Sequence, residues 1–171
     1  LKNPSCHNFE LQVVEGDEHQ RLVCIHCGEI NYNNPKIVTG SLIVHKNKFL
    51  LCKRAIEPSK GLWTIPAGYL EGNETVQTGA SREAYEEATA KIHIDHLFAI
   101  FSLKKINQIQ IIYLAHLKED YFAPGIESLD VQLFDYDNLP WKEMAFSSVR
   151  WVFELYKSYK NGENLPFSKE D

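Results

Sequence analysis

Three glutamates, Glu83, Glu86 and Glu87, are the residues of this chain best suited to chemistry. On a helix, side chains three and four positions apart share a face. Like charges on such a face repel by roughly 0.2–0.5 kcal/mol per pair. A hard divalent cation reverses that sign, because such ions prefer oxygen ligands. Three glutamates alone suit a solvated surface helix, but their surroundings favour a site. Gly68 and Gly72 stand just before them, where backbone can approach a ligand closely. Arg82 adjoins them and offers a planar fork for a carboxylate or phosphate. Together these suit metal-assisted phosphoryl chemistry, in which a cation polarises a phosphoryl oxygen and lowers the pKa of bound water.

A second cluster lies near the start. Cys24-Ile25-His26-Cys27-Gly28 has the C-x-x-C-G form, a spacing at which two thiolates converge on one tetrahedral zinc ion. A ribbon needs another pair about 15–20 residues away. Cys6 precedes Cys24 by 17 intervening residues, but the position that would hold its companion is Asn3. Zinc is therefore expected on Cys6, Cys24 and Cys27, with His7 or a residue before Leu1 as the fourth ligand. The alternative is a metal-free vestige. His19 and His26 are poorer ligands, and Cys52, in the apolar run Phe49–Cys52, reads as core.

The elements that must position these residues follow from periodicity. Residues 1–34 show little sustained pattern, and Asn33-Asn34-Pro35 ends them. Strands are expected over 37–45 and 48–54, joined by a tight Lys46-Asn47 turn. A loop covers 55–62, and a short extended piece covers 63–65. A helix from about Thr75 to Ala88 carries the glutamates, with Asn73 or Thr75 as its cap. Val76, Ala80, Ala84 and Ala88 give it a thin apolar stripe, small enough to pack close to a sheet. Further strands are expected at 92–103, 108–117 and 129–136. A final helix over about 149–160, capped by Ser147 or Ser148, is stopped by Asn161-Gly162. This order predicts an α+β sandwich with a mixed sheet.

At 171 residues and 44% hydrophobic content, the chain suits one ordinary domain with a small appendage, 1–34 and 35–171. A net charge of −5 argues against nucleic acid as the main partner. No apolar run approaches the roughly 20 residues a membrane span needs. Without a secretory or transit-like start, a cytoplasmic location is expected. The first residue is Leu1 rather than Met, so the true start is expected upstream.

The run Gly68–Ala90 resembles the Nudix box, G-x5-E-x7-R-E-U-x-E-E-x-G-U with U apolar. Gly68, Glu74, Arg82, Glu83, Glu86 and Glu87 match in register, while Thr89 stands at the late glycine. The resemblance implies a Nudix α/β/α sandwich behind a zinc-ribbon-like segment. It implies Mg²⁺ or Mn²⁺ on Glu83, Glu86, Glu87 and the Gly68 carbonyl, and a structural Glu74–Arg82 pair. It implies hydrolysis of a nucleoside diphosphate linked to another moiety. Glu127, in the loop Pro124–Ser128, is the best candidate outside the box for a base or fourth ligand, with Asp130 behind it.

Within the family, the chain is similar to a ribbon-bearing group resembling plant chloroplast FAD pyrophosphatase. The similarity is carried by Asn34-Pro35-Lys36, Leu51–Arg54, Pro66–Tyr69, Phe122–Leu129 and Ala145–Ser148. That group has Gly-Gln-x-Tyr where this chain has Asn107-Gln108-Ile109-Gln110, so only Gln108 persists. The implied substrate is a small-molecule dinucleotide or nucleotide-sugar, foremost FAD or ADP-ribose, with AMP as a product. Arg54, with Lys53, would meet phosphates, and Tyr69, Phe101 or Phe146 would stack adenine. NADH hydrolysis and non-catalytic nucleotide sensing are the alternatives. A homodimer is implied by resemblance alone.

Overall fold

The structure, a computed structural model, describes residues 8–171. The chain divides into two compact units, one ending at Pro35 and one spanning Lys36–Asp171. In the first, β1 (Phe9–Val13), β2 (Gln20–Cys24) and β3 (Ile30–Asn31) form an antiparallel sheet in that order. The expectation of little periodicity here is corrected. Phe9, Leu11 and Val13 alternate with Glu10 and Gln12, which is the period of a strand. The register sets Phe9 opposite Cys24 and Leu11 opposite Leu22.

The second unit begins with β4 (Lys36–His45), β5 (Lys48–Arg54), β6 (Trp63–Thr64) and β7 (Ala67–Tyr69). Lys46 and Asn47 both have positive φ, which matches the right-handed twist of the β4–β5 hairpin. Next come α1 (Val76–Ala88), β8 (Ile92–Leu103), β9 (Gln108–Leu117), β10 (Ser128–Phe134), α2 (Ser147–Lys160) and β11 (Phe167–Glu170). The main sheet runs β10-β5-β4-β9-β8-β11, with β6 on β5 and β7 on β4. It is mixed: β4 pairs parallel with β9 and β11 with β8, while the other pairs are antiparallel.

Alternation along the central strands builds two cores. Leu42, Leu51, Ile112 and Leu114 pack with Val149, Val152 and Phe153 of α2. Ile43, Leu50, Cys52, Ala115 and Leu117 pack with Ala84 and Ala88 of α1. One helix on each face makes the expected α/β/α sandwich. The alanine stripe brings α1 against β4, where the Thr39 hydroxyl donates to the Val76 carbonyl at 2.9 Å.

Both helix starts were expected to be capped by a side chain, and only one is. The Thr75 hydroxyl accepts from the Thr78 N–H. Helix α2 begins at Ser147, and its cap residue, Phe146, makes no side-chain capping bond, so neither Ser147 nor Ser148 is the cap. The sequence pattern also missed β7 and β11, each shorter than a run that periodicity can reveal.

Candidate active site

The Gly68–Tyr69 segment of β7 lies between β4 and α1. Gly68 pairs with Thr39, and a Cβ at Gly68 would sit 2.3 Å from Glu83 Oε1. Only a residue without a side chain leaves room for that carboxylate. Gly79, one helical turn before Glu83, lacks space for a Cβ for a similar reason, with Glu74 Oε1 2.8 Å away.

Arg82 is the hub. Its Nε and Nη2 donate to the two oxygens of Glu74 at 3.1 and 2.8 Å, a bidentate pairing that fits the planar fork. Nη2 also donates to the Tyr69 carbonyl at 3.0 Å. Nη1 donates to Glu83 at 2.7 Å and to Glu86 at 3.0 Å. Glu74 accepts a further bond from the Glu71 N–H. The Arg82 guanidinium, followed by that amide, holds the Glu74 carboxyl at about 2, well below the usual range. The loop before α1 is thus tied to the helix by a pair that stays ionised at any ordinary pH.

The solvated-face reading fails for two of the three glutamates. Glu83 and Glu87 are buried, at 8% and 6% exposure, and only Glu86 is exposed. Burial pushes the Glu87 carboxyl up to about 8; Glu83 and Glu127 add to the rise, while Arg54 and the Ala67 N–H oppose it. Burial raises Glu83 as well, against the pull of Arg82. Glu87 Oε2 has no hydrogen-bond partner.

Glu127 reaches this cluster because its loop is fastened to α1. The Ala123 N–H donates to the Ala88 carbonyl at 2.9 Å and the Gly125 N–H to the Glu87 carbonyl at 3.0 Å. A Cβ at Gly125 would fall 1.7 Å from the Glu86 carbonyl oxygen, so the approach requires glycine. The Glu127 carbonyl then accepts from the Ala55 N–H at 2.8 Å. Asp130 is not brought in: its carboxylate is engaged by the Val131 N–H and the Gln132 amide, and it does not line the cavity.

A cavity of about 1200 Å³ opens in front of the carboxylates. Gly68, Arg82, Glu83, Glu86, Glu87 and Glu127 line it. Leu103, Ile106, Ile112, Val149 and Val152 make an apolar region, with Phe146, Tyr69, Gln108 and Arg54 also on the wall. The Arg54 guanidinium lies over the Phe146 ring at 5.2 Å, and its Nε donates to the Pro58 carbonyl. Lys36 stands over the exposed Tyr69 ring at 5.3 Å. Gln108 accepts from Gln110 at 2.8 Å. Phe101, one of the three aromatics considered for adenine, is instead fully buried core packed on Trp151. Lys53 stands over Trp63 and does not line the cavity. Sequence reasoning missed Lys105, Ile126 and Asp171 on the wall. Asp171 reaches it because its carboxylate accepts from the Lys104 N–H at 2.8 Å, a contact between distant positions that no local pattern signals.

The donor set here fits a hard divalent ion. It is all oxygen, two of its carboxylates are buried, and one buried oxygen lacks a partner. Among the described residues, no three His, Cys, Asp or Glu side chains already converge on one point. Glu83 and Glu86 are turned to Arg82 instead. In the first unit, Cys24 and Cys27 flank a tight turn closed by the Gly28 N–H on the Cys24 carbonyl at 2.9 Å, with Gly28 at φ 74°. This suits two thiolate ligands, while Cys6 and His7 lie outside the described residues.

Comparison with known proteins decides the family. Residues 35–155 match the model of the NUDIX domain. The chain belongs to the Nudix hydrolase family. Residues 4–33 match the zinc-ribbon model described as Nudix N-terminal. A Nudix hydrolase structure from Nitrosomonas europaea superposes with a TM-score of 0.92 at 39% identity, covering 99% of this chain and 97% of that one. An ADP-ribose pyrophosphatase of Methanocaldococcus jannaschii is 28% identical over 77% of this chain and 78% of its own length. An NAD-capped RNA hydrolase, NudC, of Stutzerimonas stutzeri is 26% identical over 85% of this chain and 52% of its own length. This Nudix protein is accordingly a pyrophosphohydrolase, performing the family's metal-dependent hydrolysis on a nucleotide or dinucleotide. Among the described residues, no helix is long and apolar enough to cross a membrane.

Proposed function

We propose that this Nudix enzyme cleaves the pyrophosphate of FAD or ADP-ribose, releasing AMP together with FMN or ribose 5-phosphate. The observation that carries the reading is the cavity itself, lined by the acidic cluster, by Arg54 with the rings of Phe146 and Tyr69, and by apolar side chains. Its volume is at or above the roughly 300–1,000 Å³ common for ligand sites, enough for a molecule with two bulky halves. The resemblance to ribbon-bearing FAD pyrophosphatases supports FAD. The M. jannaschii relative, named an ADP-ribose pyrophosphatase, supports ADP-ribose.

Glu83, Glu86, Glu87 and the Gly68 carbonyl would hold Mg²⁺ or Mn²⁺. When bound, the ion supplies Lewis-acid polarisation of a phosphoryl oxygen and a lower pKa for the attacking water. Glu127 takes the proton of that water as it attacks phosphorus and the P–O–P bridge breaks. Arg54 meets the diphosphate, and Phe146 or Tyr69 offers adenine a ring face. Gln108 bonds the second half of the substrate. Glu74 and Arg82 act by fixing the loop on the helix rather than by touching substrate. Residues 1–34 form a zinc-binding appendage on Cys6, Cys24, Cys27 and His7. Residues 35–171 form the hydrolase domain, and the enzyme works as a cytoplasmic homodimer.

The test is a panel of FAD, ADP-ribose, NADH, coenzyme A and diadenosine polyphosphates with Mg²⁺ and with Mn²⁺, scored by kcat/KM. FAD or ADP-ribose is expected to lead by at least tenfold. A lead for NADH or a diadenosine polyphosphate would overturn the substrate assignment while leaving the reaction class intact.

A further inference from the structure

At the end of the β8–β9 ladder away from the cavity, His93 and His116 stand directly opposite each other in the antiparallel register. Opposed residues on such a pair have Cβ atoms about 4.5–5.5 Å apart. The ring centroids here are 5.0 Å apart, with the planes tilted by 43°. His93 is exposed, and the His116 side chain is 51% exposed. Both imidazoles are therefore open to an ion from solution and near enough to share one.

A third residue fixes one of the rings. The register passes from Ile94 opposite Ala115 to His96 opposite Leu114, so Asp95 is the extra residue of a β-bulge. Bulges re-aim side chains, and the Asp95 carboxylate meets His116 Nδ1 at 3.0 Å. An ionised carboxylate only accepts hydrogen bonds, so in the neutral ring Nδ1 carries the proton and Nε2 is the nitrogen left for an ion. A carboxylate on the far nitrogen is the usual support of a metal-bound histidine, fixing the ring and raising its basicity.

We propose that His93 and His116 form a surface site for a borderline divalent transition ion of the Zn²⁺, Ni²⁺ or Cu²⁺ class, with Asp95 as the residue that orients His116. Imidazole suits these ions, whereas Mg²⁺ takes oxygen ligands. Two imidazoles are the protein's share of the coordination sphere, and water completes it. The site is separate from the catalytic cation. Neither His93 nor His116 lines the cavity that holds Glu83, Glu86 and Glu87. It does not depend on which substrate the cavity takes.

Calorimetric titration of the full chain with Ni²⁺, in excess Mg²⁺, tests the site. Wild type is expected to bind one Ni²⁺ that is weakened at least tenfold in His93→Ala and in His116→Ala. Asp95→Asn is expected to weaken it about tenfold, the lower end of the effect seen for such orienting partners. Melting temperatures of the three surface variants are expected to match wild type. Wild-type affinity in both histidine variants, or no Ni²⁺ bound by wild type, would overturn the site. Full affinity in Asp95→Asn would overturn the part given to the carboxylate.

Discussion

Glu87 carries the sharpest electrostatic conflict in the molecule. It is buried, near Glu83 and Glu127, and one of its oxygens is unpaired. In metal-free protein its carboxyl, raised to about 8, keeps a proton at neutral pH that the unfolded chain has already lost. Stability falls with rising pH wherever the native state binds more protons than the unfolded state. The contribution from Glu87 is therefore fully present below about pH 4.5 and is lost as pH rises through 8. In chelator, wild type is expected to lose on the order of a few kcal/mol of unfolding free energy between pH 5 and pH 9. Glu87→Gln, which has no charge to bury, is expected to lose less. Glu83 is raised in the same direction, so part of the slope persists in the variant. Urea unfolding across pH checks this, and equal slopes in the two proteins would contradict it. Excess Mg²⁺ is expected to flatten the wild-type slope, because a bound cation favours the ionised form.

Helix α1 ends on a residue that the box pattern assigns to glycine. Thr89 takes the left-handed conformation, φ 51° and ψ 21°. The Thr89 N–H donates to the Tyr85 carbonyl at 2.8 Å, the bond of an αL helix end, and the Ala90 N–H reaches back to the Ala84 carbonyl at 3.1 Å. A side chain in that region costs about 1–2 kcal/mol, and glycine returns part of this as chain entropy. Thr89→Gly is expected to stabilise the protein by about 1 kcal/mol in urea unfolding, and a destabilised variant would contradict the strain. The strands β4, β5, β8 and β9 and helix α1 could be read from the chain because each buries residues at its own period. The Gly68–Glu83 contact was legible only through the spacing of the box. The bulge at Asp95 and the bond from Asp171 to Lys104 were not legible, because each is set by register or by contact between distant positions. The three short strands of the first unit were missed although Phe9–Val13 alternates correctly. That alternation is too short to stand out without its partner strand.

At the scale of the whole molecule, two chemistries are proposed for two units. The first unit places Cys24 and Cys27 on one turn, and about one zinc per chain is expected by elemental analysis. None in the purified protein, with unfolding unaffected by chelator, would make the cysteines structural remnants. The second unit gathers acidic, aromatic and apolar side chains on one cavity, and the proposed reaction is assigned to the carboxylates on α1. The most direct test is AMP release from FAD and ADP-ribose, followed by phosphorus NMR with Mg²⁺, for wild type and Glu87→Gln. Wild type is expected to release AMP, and Glu87→Gln to be slower by about two to three orders of magnitude, the scale of losing a group that stabilises charge in the transition state. Its far-ultraviolet circular dichroism is expected to be unchanged. Equal rates in the two proteins would remove the carboxylate helix from the reaction.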